Sequence, residues 1–454
     1  MTSAFKTYDI RGEIGFNIDE RLCYSVGRAV AQHFNAESVV IGYDARETSP
    51  AFSVAVSKGV RDGGADAIAI GLAGTEEMYW AVTEFASSAG IEVTASHNPI
   101  NYNGIKIVKS HSRPLDDKSD FQVIRALTER QSWTEVPEIG KEFNRATEAR
   151  IAYVNKVLSF VDVDAFTRMK VVVNSGNGAA GPTFDAIAGR LESLGAPIEF
   201  IRVHHRPNSK FPNGIPNPLI PENRAATADV VKQYKADFGV AFDGDFDRCF
   251  FFDENGEFIP GEYVIGLLAA IFLEKEVGAK IVHDNRIIWN TQDIVLKKNG
   301  LPLVSKTGHA FIKQMMRTHK AVYGGEISAH HYFRDFAYCD SGMIPLVLVA
   351  EHISRTGITL GNWVKDRITA FPSSGEYNFR VEEAGQAINK VLEAYRGNAL
   401  SIDETDGVSL TFPEWRFNLR VSNTEPLVRL NIEVKGARQD LLEMHLKAIS
   451  SLLE

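Results

Sequence analysis

The sequence contains little that would place the protein outside the cell or in a membrane. It has only three cysteines in 454 residues, Cys23, Cys249 and Cys339. Because their number is odd and they are far apart, we expect reduced thiols rather than disulfides. No apolar run has the length of a membrane span, and charges throughout the first 20 positions argue against a signal peptide. These absences predict a cytoplasmic protein with no membrane partner.

The chain also lacks an excess of positive charge. Its 49 lysines and arginines stand against 58 aspartates and glutamates, which gives a net charge of -9. Surfaces that bind nucleic acids are basic, so we expect no nucleic-acid partner. The apolar and charged fractions are typical of a globular protein. A chain of 454 residues is too long for one hydrophobic core and predicts roughly three or four domains.

One pattern of secondary structure occurs three times along the chain. An apolar strand, a helix, a second strand, a second helix and a third strand follow one another, beginning near Ser38, Lys170 and Lys280. This alternation is typical of an α/β fold with a largely parallel sheet, and its recurrence predicts three related domains. Beyond about Arg355, alternating strands and an amphipathic helix predict a smaller α+β domain.

We therefore predict three related α/β domains with mixed, largely parallel sheets and a C-terminal α+β domain. The predicted bounds are residues 1–146, 147–249, 250–366 and 367–454. Each α/β copy ends in a polar loop, and these loops cover residues 94–99, 243–248 and 324–330. Ligands bind at the carboxyl ends of parallel strands in such sheets, so all three loops are candidate sites.

The first loop contains a candidate nucleophile. Thr94-Ala95-Ser96-His97-Asn98-Pro99 follows an apolar strand, which predicts that Ser96 is exposed at the strand exit beside the imidazole of His97. Such a serine can attack a substrate or carry a phosphoryl group. Serine, asparagine and proline are also ordinary turn residues. On these six positions alone, a polar turn is an equally good interpretation.

The second loop, Asp243-Gly244-Asp245-Phe246-Asp247-Arg248, has the strongest pattern. In an extended segment its three aspartates point to one side, where carboxylates without a cation repel one another. Hard oxygen ligands around a small site suit Mg²⁺. The spacing also resembles an EF-hand Ca²⁺ loop, but that loop requires glycine where this chain has Arg248. The remaining alternative is a solvated acidic turn.

Groups suited to a sugar phosphate occur elsewhere in the chain. A turn near the C-terminus combines guanidinium, hydroxyl and amide groups, which together bind phosphate dianions. Its candidate residues are Arg420, Ser422, Asn423, Thr424 and Arg429. Partners for sugar hydroxyls alternate along the third loop at Glu326, Ser328 and His330, and Arg11 and Lys106 can supply charge near Ser96. Singly, each could be a surface residue; their placement in separate domains favours a site.

These loops, in this order, resemble the four signature loops of the α-D-phosphohexomutases. The matching segments are residues 94–99, 243–248, 325–330 and 420–426, one in each predicted domain. The resemblance implies four domains arranged around a central cleft. It also implies interconversion of mannose 6-phosphate and mannose 1-phosphate through a hexose 1,6-bisphosphate, feeding GDP-mannose and surface polysaccharide synthesis. Glucose phosphates, alone or together with mannose phosphates, are the alternative substrates.

The resemblance also implies a role for each candidate residue. Ser96 corresponds to the phosphorylated serine, and its phosphoserine would hold one Mg²⁺ per chain together with Asp243, Asp245 and Asp247. Hexose 1,6-bisphosphate is the implied activator. The implied catalytic residues are Ser96, His97, Lys106, Arg11 and His309. The implied substrate-binding residues are Tyr8, Arg248, Arg286, Gly308, Glu326, Ser328, His330, Arg420, Ser422, Asn423, Thr424 and Arg429.

The chain departs from the family pattern at Arg286. Some relatives of this family carry lysine at this position, so the positive charge is kept but the reach of the side chain differs.

Two other functions are possible for the same groups. A sugar-phosphate phosphatase would use the same metal and phosphate groups and would release inorganic phosphate. A non-catalytic sugar-phosphate sensor would tolerate Ser96→Ala. We expect small hexose phosphates as partners and a monomer or homodimer.

Overall fold

The computed structural model describes residues 4–6, 9–421 and 427–453. The chain divides into two compact units. The first contains the residues up to Phe258 together with His330–Gly357, and the second contains Ile259–Ala329 and the residues from Ile358 onward. Four predicted site residues lie outside the described ranges, namely Tyr8, Ser422, Asn423 and Thr424.

The first sheet of the first unit has seven strands. Their order is β1-β5-β4-β2-β3-β7, and β6 pairs with β5. Strands β2, β3 and β4 are parallel, whereas β5 is antiparallel to both β1 and β4. The strands are β1 Ile10–Glu13, β2 Ser38–Tyr43, β3 Asp66–Leu72, β4 Ala89–Val93, β5 Tyr102–Lys109, β6 Arg113–Pro114 and β7 Glu142–Asn144. The helices are α1 Glu20–His33, α2 Ser49–Asp62, α3 Thr75–Glu84 and α4 Gln122–Arg130.

Helix α1 illustrates why these elements form where they do. The Asp19 side chain caps its first turn by accepting a hydrogen bond from the N–H of Leu22 at 2.8 Å. Apolar residues then recur along one face, and Val26 and Val30 are buried in the core beside Val39 of β2. Burial of this face against the sheet stabilises the helix and fixes the position of the strand that leads into the first polar loop.

A second sheet completes the main part of the first unit. Its order is β12-β11-β10-β8-β9, with β8, β9 and β10 parallel and β11 antiparallel to β10. The strands are β8 Met169–Asn174, β9 Ile198–Val203, β10 Phe238–Phe242, β11 Cys249–Phe252 and β12 Phe258–Ile259. The helices are α5 Ala146–Leu158, α6 Ala180–Ser193 and α7 Ala225–Tyr234. The unit also holds the antiparallel pair β16 His331–Phe333 and β17 Cys339–Asp340, and helix α11 Met343–Thr356.

The second unit begins with a third set of parallel strands in the order β14-β13-β15. These strands are β13 Lys280–Asp284, β14 Leu301–Ser305 and β15 Tyr323–Gly325. The helices are α8 Gly261–Lys275, α9 Trp289–Lys297, α10 His309–His319 and α12 Leu360–Ala370. The three parallel triplets β4-β2-β3, β10-β8-β9 and β15-β13-β14 have the same strand order. The predicted recurrence of one α/β pattern is therefore confirmed.

The C-terminal part of the second unit is an antiparallel sheet with two helices. The sheet order is β18-β22-β21-β20-β19. The strands are β18 Ser373–Arg380, β19 Ser401–Asp403, β20 Val408–Thr411, β21 Trp415–Val421 and β22 Leu427–Val434, and the helices are α13 Ala384–Tyr395 and α14 Gln439–Leu453. One face of the sheet, with Phe417, Leu430 and Ile432, forms an apolar core. This is the predicted α+β domain.

The other face of this sheet is polar but also buried. Arg416, only 1% exposed, donates hydrogen bonds to the backbone carbonyl oxygens of Asn285 and Arg286 at 2.7 and 3.0 Å. Its partner Glu433, 3.1 Å away, accepts hydrogen bonds from the N–H groups of Ile288 and Trp289. The pair therefore satisfies the backbone of the turn that carries Arg286, which fixes this turn on the C-terminal sheet.

No single helix in the described ranges is long and apolar enough to cross a membrane. One pair of consecutive helices, α11 and α12, passes the same test of length and composition only when the two are counted together. The first nine residues of α11, residues 343–351, are buried within the protein, as is typical of a core helix.

Replacing Arg416 tests this buried pair. Arg416→Met leaves the Glu433 carboxylate buried without its cation, and we expect a loss of about 3–5 kcal/mol in the free energy of unfolding. Urea denaturation followed by tryptophan fluorescence measures this loss. The control is Arg438→Met, since Arg438 forms only exposed ion pairs with Glu414 and Asp440; it should change stability by less than about 0.5 kcal/mol. Equal effects of the two substitutions would contradict a stabilising role for the buried Arg416–Glu433 pair.

Candidate active site

The first polar loop places Ser96 at the end of β4 in a buried position. Its side chain is 3% exposed, so the prediction that Ser96 is exposed is wrong. Its φ of 48° lies in the left-handed region, a strained conformation that is concentrated at functional sites. Its Oγ donates a hydrogen bond to Oδ2 of Asp243 at 2.7 Å and lies 3.1 Å from Nδ1 of His97. The hydroxyl is covered because the aspartate loop packs directly on it.

Two residues at the end of β2 hold this loop in shape. The buried guanidinium of Arg46 donates hydrogen bonds of 2.6–2.9 Å to the carbonyl oxygens of Ser96, Asn98, Pro99 and Tyr102. Asp44 accepts hydrogen bonds from the hydroxyl groups of Thr94 and Ser49. No role was predicted from the sequence for Asp44 or Arg46. The available signal was their position after β2, because a parallel sheet places the ends of neighbouring strands together.

The second loop brings its three aspartates together in the interior. Oxygen atoms of Asp243, Asp245 and Asp247 lie within 4.8 Å of one another, and all three side chains are buried. The Oδ2 atoms have protein partners, whereas the three Oδ1 atoms are buried without a hydrogen-bond partner. Unpaired buried carboxylate oxygens are costly unless a cation binds them. The group can therefore hold a metal ion, and burial excludes the alternative of a solvated acidic turn.

Buried cations offset part of this negative charge. Nζ of Lys106 is 2.6 Å from Oδ2 of both Asp245 and Asp247, and Nη2 of Arg248 is 2.6 Å from Oδ2 of Asp243. Burial raises the pKa of Asp243 to about 6, against the opposing charge of Arg248. Burial acts in the same direction on Asp247, but the charges of Lys106 and His330 outweigh it and lower the pKa to about 2. The loop thus stays largely ionised at neutral pH.

His97 lies between the serine and Arg248. Nη2 of Arg248 is 2.5 Å from Nδ1 of His97. The charge of Arg248, followed by burial, lowers the pKa of His97 well below its ordinary value, so the imidazole is neutral at pH 7. Arg11 reaches the same loop through a 2.5 Å hydrogen bond from its Nη1 to Oδ1 of Asn98. Nε2 of His330 is 3.6 Å from Oδ1 of Asp247. The predicted residues of the first unit that the structure describes thus form one group.

The start of α3 contacts the aspartate loop. This contact was not predicted from the sequence. Oγ1 of Thr75 donates a 2.5 Å hydrogen bond to Oδ2 of Asp245. A Cβ atom at Gly74 would lie 2.2 Å from the ring of Phe246, and one at Gly244 would lie 2.5 Å from the carbonyl oxygen of Ser96. Glycine at both positions permits these close approaches. The only local signal was the pair of glycines, which cannot by themselves reveal such a contact.

The predicted sugar-binding residues of the second unit lie at the ends of its parallel strands. Arg286 follows β13 and forms a 2.6 Å ion pair with Asp284, whose Oδ2 also accepts the N–H of Ile327. Asp284, at the end of β13, thus connects the Arg286 side chain with the loop that follows β15. Oε1 of Glu326 accepts a hydrogen bond from the N–H of Gly308 at 2.7 Å. Gly308 has a φ of 123°, a conformation that favours glycine. His309 begins α10 directly after Gly308, and Ser328 lies in the turn after Glu326.

The predicted phosphate-binding arginines lie on the C-terminal sheet of the same unit. Arg420 of β21 is directly opposite Arg429 of β22. Both side chains reach the carboxylate of Glu376 on β18, as does that of Arg286. Glu376 could not be predicted from the sequence, because it precedes the two arginines by more than 40 residues and no pattern links them.

Comparison with known proteins relates every part of the chain to one family. Family models described as phosphoglucomutase/phosphomannomutase, alpha/beta/alpha domains I, II and III and C-terminal domain, match residues 2–134, 151–256, 260–371 and 376–444. The chain is 51% identical over 451 residues to a phosphomannomutase of Salmonella montevideo and 50% identical to one of Escherichia coli K12, with 99% of each chain covered.

Other matches extend this relationship. Proteins of Xanthomonas campestris named phosphohexose mutases are 48% identical over 450 residues, with 99% of each chain covered. A crystal structure of a phosphoglucomutase/phosphomannomutase family protein from Burkholderia thailandensis superposes with a TM-score of 0.87 at 28% identity, covering 100% of this chain and 97% of that one.

Metal addition tests the aspartate group. Mg²⁺ binding to the folded state should stabilise the protein by about 2.7 kcal/mol at a concentration 100 times the dissociation constant. Metal is first removed with EDTA, and Mg²⁺ is then added. We expect a corresponding rise in the thermal unfolding midpoint for the wild type and for the control Asp164→Asn, which changes an exposed aspartate of the same unit. Asp245→Asn should abolish it, because the negative charge that attracts the cation is lost. An undiminished response in Asp245→Asn would place the metal elsewhere.

The charge state of His97 can be tested by its titration. The ¹³Cε1 NMR signal of His97, assigned with His97→Gln, should not shift between about pH 8 and about pH 6, where an ordinary histidine titrates. Because its folded-state pKa is lowered, the unfolded chain binds more protons here, so His97 lowers stability as the pH falls through the unfolded-state value. Arg248→Gln should raise the pKa of His97 by removing the adjacent charge. Arg355→Gln, an exposed arginine of the first unit, should leave the signal unchanged.

Proposed function

The chain belongs to the phosphoglucomutase/phosphomannomutase family, the α-D-phosphohexomutases, and from this membership we infer the activity of a phosphomannomutase. The enzyme is an intramolecular phosphotransferase of the isomerase class. It interconverts mannose 6-phosphate and mannose 1-phosphate. Full-length relatives that are about half identical support this substrate, while the broader name of the Xanthomonas proteins is compatible with additional action on glucose phosphates.

Ser96 is the proposed phosphoryl carrier. The observation that supports this role is the 2.7 Å hydrogen bond from its Oγ to Asp243, beside three buried carboxylate oxygens that have no hydrogen-bond partner. In the proposed reaction the bond from phosphorus to Oγ of Ser96 breaks while a bond to O1 of mannose 6-phosphate forms, which gives mannose 1,6-bisphosphate. The 6-phosphoryl group then returns to Ser96 and leaves mannose 1-phosphate. In the first transfer the proton of the O1 hydroxyl is lost and Oγ of Ser96 gains one, and the second transfer reverses this exchange at O6. The free Ser96 hydroxyl and its hydrogen bond to Asp243 therefore exist only between the two transfers, and each turnover ends with Ser96 phosphorylated again.

The aspartate loop fits Mg²⁺ as the resident metal. Each of its three aspartates offers a hard carboxylate oxygen, and one oxygen of each lies within 4.8 Å of the others; an oxygen of phosphorylated Ser96 is the proposed further ligand. A bound Mg²⁺ would supply charge neutralisation for the transferring phosphoryl group. Lys106 supplies a permanent second cation, since Asp245 and Asp247 raise its pKa although burial alone would lower it.

The second unit supplies the proposed substrate contacts. Arg286, Arg420 and Arg429 would bind the phosphate that is not reacting, with Glu326, Ser328 and Gly308 on the sugar hydroxyls. Both ends of the sugar must react in turn, so one set of groups has to accept two orientations of the substrate. His309 is proposed to assist proton transfer. The roles of Tyr8, Ser422, Asn423 and Thr424 stay predictions, as do the bisphosphate activator, the cytoplasmic location and the monomeric or homodimeric state.

Burial of Ser96 favours a mutase over a phosphatase. In a site that promotes phosphoryl transfer, water that reached the phosphoserine would compete with the sugar as acceptor, and burial of Ser96 against Asp243 and His97 limits that access. Closure of the site around substrate would extend this shielding during turnover. The pathway that this enzyme would serve is the supply of GDP-mannose for surface polysaccharides.

A coupled mutase assay tests this function. With Mg²⁺ and a catalytic amount of hexose 1,6-bisphosphate, we expect conversion of mannose 6-phosphate, and comparison with glucose 6-phosphate measures the substrate preference. Ser96→Ala should lower kcat by more than about a thousandfold because the phosphoryl carrier is lost. Ser193→Ala, an exposed serine of the same unit, is the control. Intact mass should show one phosphoryl group on fresh wild-type protein and none on Ser96→Ala.

Two outcomes would contradict the proposal. Net release of inorganic phosphate without isomerisation would identify a phosphatase. Binding of hexose phosphates without conversion of either sugar, unaffected by Ser96→Ala, would identify a sensor.

A further inference from the structure

Three arginine side chains of the second unit converge on one carboxylate. Nη2 of Arg420 is 2.7 Å from Oε2 of Glu376, Nη1 of Arg286 is 3.6 Å from the same oxygen, and Nη1 of Arg429 is 3.5 Å from Oε1. Glu376 is therefore the one described residue to which all three arginines of the proposed phosphate-binding group have ion pairs. These three guanidinium groups will be called the arginine cluster.

The strand register explains why the cluster needs an anion. Arg420 and Arg429 are directly opposite on neighbouring antiparallel strands, so their side chains project from the same face of the sheet. Like charges in such a pair repel each other. Glu376 is paired with Asn431, two residues from Arg429, and thus projects from that face as well. Its carboxylate lies where it can offset the repulsion.

A β-bulge directs Glu376 to this place. The pairing of β18 with β22 shifts between Ser373 and Glu376, and Gly375 has a φ of 67° in the left-handed region. The carbonyl oxygen of Gly375 accepts a 2.8 Å hydrogen bond from the buried amide of Asn431, and Oγ of Ser374 accepts the N–H of Ile432 at 2.9 Å. Bulges redirect side chains and recur beside active sites. The position of Glu376 is thus held by its own set of backbone contacts.

The cluster keeps donor atoms that a second anion could use. The buried Nε atoms of Arg286 and Arg420 have no hydrogen-bond acceptor among the described residues. Burial alone would raise the pKa of Glu376, but the charges of Arg286 and Arg420 lower it, so the carboxylate is ionised at neutral pH. Guanidinium N–H groups without an acceptor can bind a phosphate dianion.

We propose that Glu376 is a positioning residue for phosphate binding: its carboxylate holds the arginine cluster together before the substrate phosphate arrives. Without it, the repulsion between Arg420 and Arg429 would separate their side chains, and a phosphate would have to reassemble them on binding. A preassembled group avoids this ordering cost and therefore binds more tightly. The proposal rests on the proposed function only for the identity of the ligand, a hexose phosphate.

The test compares Glu376→Gln with Glu376→Asp. Loss of the charge in Glu376→Gln should raise the calorimetric dissociation constant for inorganic phosphate and the KM for mannose 6-phosphate by about tenfold, while kcat changes by less than about twofold. Glu376→Asp keeps the charge on a shorter side chain and should return both constants to within about threefold of the wild-type values. This rescue distinguishes a role in binding from a general loss of structure.

Glu414→Gln is the matched control. Glu414 belongs to the same unit and is paired with an arginine, Arg438, at 3.5 Å, but both residues are exposed. This variant removes the same formal charge and should leave phosphate affinity unchanged. Tighter phosphate binding by Glu376→Gln would show that Glu376 competes with phosphate for the arginines and would overturn the proposal, as would unchanged affinity.

The mutase function and the positioning role of Glu376 can fail separately. If wild-type protein binds mannose 6-phosphate but converts neither hexose phosphate, the mutase function fails and the calorimetric comparison still tests Glu376. If Glu376→Gln does not fold, as judged by its circular dichroism, the decision passes to Glu376→Asp. A dissociation constant for Glu376→Asp more than about thirtyfold above the wild-type value would then overturn the proposal, because the retained charge should preserve the cluster.

Discussion

The burial of three carboxylates in one short loop is the constraint on which the site of the first unit depends. Charges removed from water are tolerated only when other groups of opposite sign replace the solvent. Here Lys106 and Arg248 form ion pairs with Oδ2 atoms of the aspartates. The hydroxyl groups of Thr75 and Ser96 donate hydrogen bonds to the same kind of atom. The three Oδ1 atoms are left without a hydrogen-bond partner. The protein thus balances most of the loop's charge from within and leaves one face of it for a cation.

In the second unit the concentrated charge is positive, and carboxylates offset it. Asp284 and Glu376 form ion pairs with the arginine cluster, and Glu433 forms one with Arg416. The Arg416–Glu433 pair lies deeper and is matched by backbone groups of the turn at Asn285 and Arg286, so its charge is fully used inside the fold. Arg420 and Arg429 of the arginine cluster are more exposed than Arg416. This difference in burial separates an arginine that stabilises the fold from arginines suited to binding a phosphate.

The sequence was sufficient to predict what depends on local order along the chain. The repeated α/β pattern, the polar loops after β4 and β10 and the aspartate group all follow from strand periodicity and from the geometry of parallel sheets. The interpretation was wrong about the exposure of Ser96, because burial there is produced by the aspartate loop about 150 residues away. Arg46, Thr75, Glu376 and Arg416 were missed for the same reason: each acts through side-chain contacts between distant segments, and Glu376 also depends on a bulge that no residue pattern specifies.

The geometry also bears on which group handles the proton of Ser96. His97 is adjacent in sequence and was an obvious candidate. However, Nδ1 of the neutral imidazole lies 2.5 Å from Nη2 of Arg248, which can only donate, so the lone pair that would accept a proton is already engaged. The Ser96 hydroxyl instead donates to Asp243, the aspartate of the loop whose pKa burial raises. The geometry therefore pairs the free Ser96 hydroxyl with Asp243 and places His97 against Arg248.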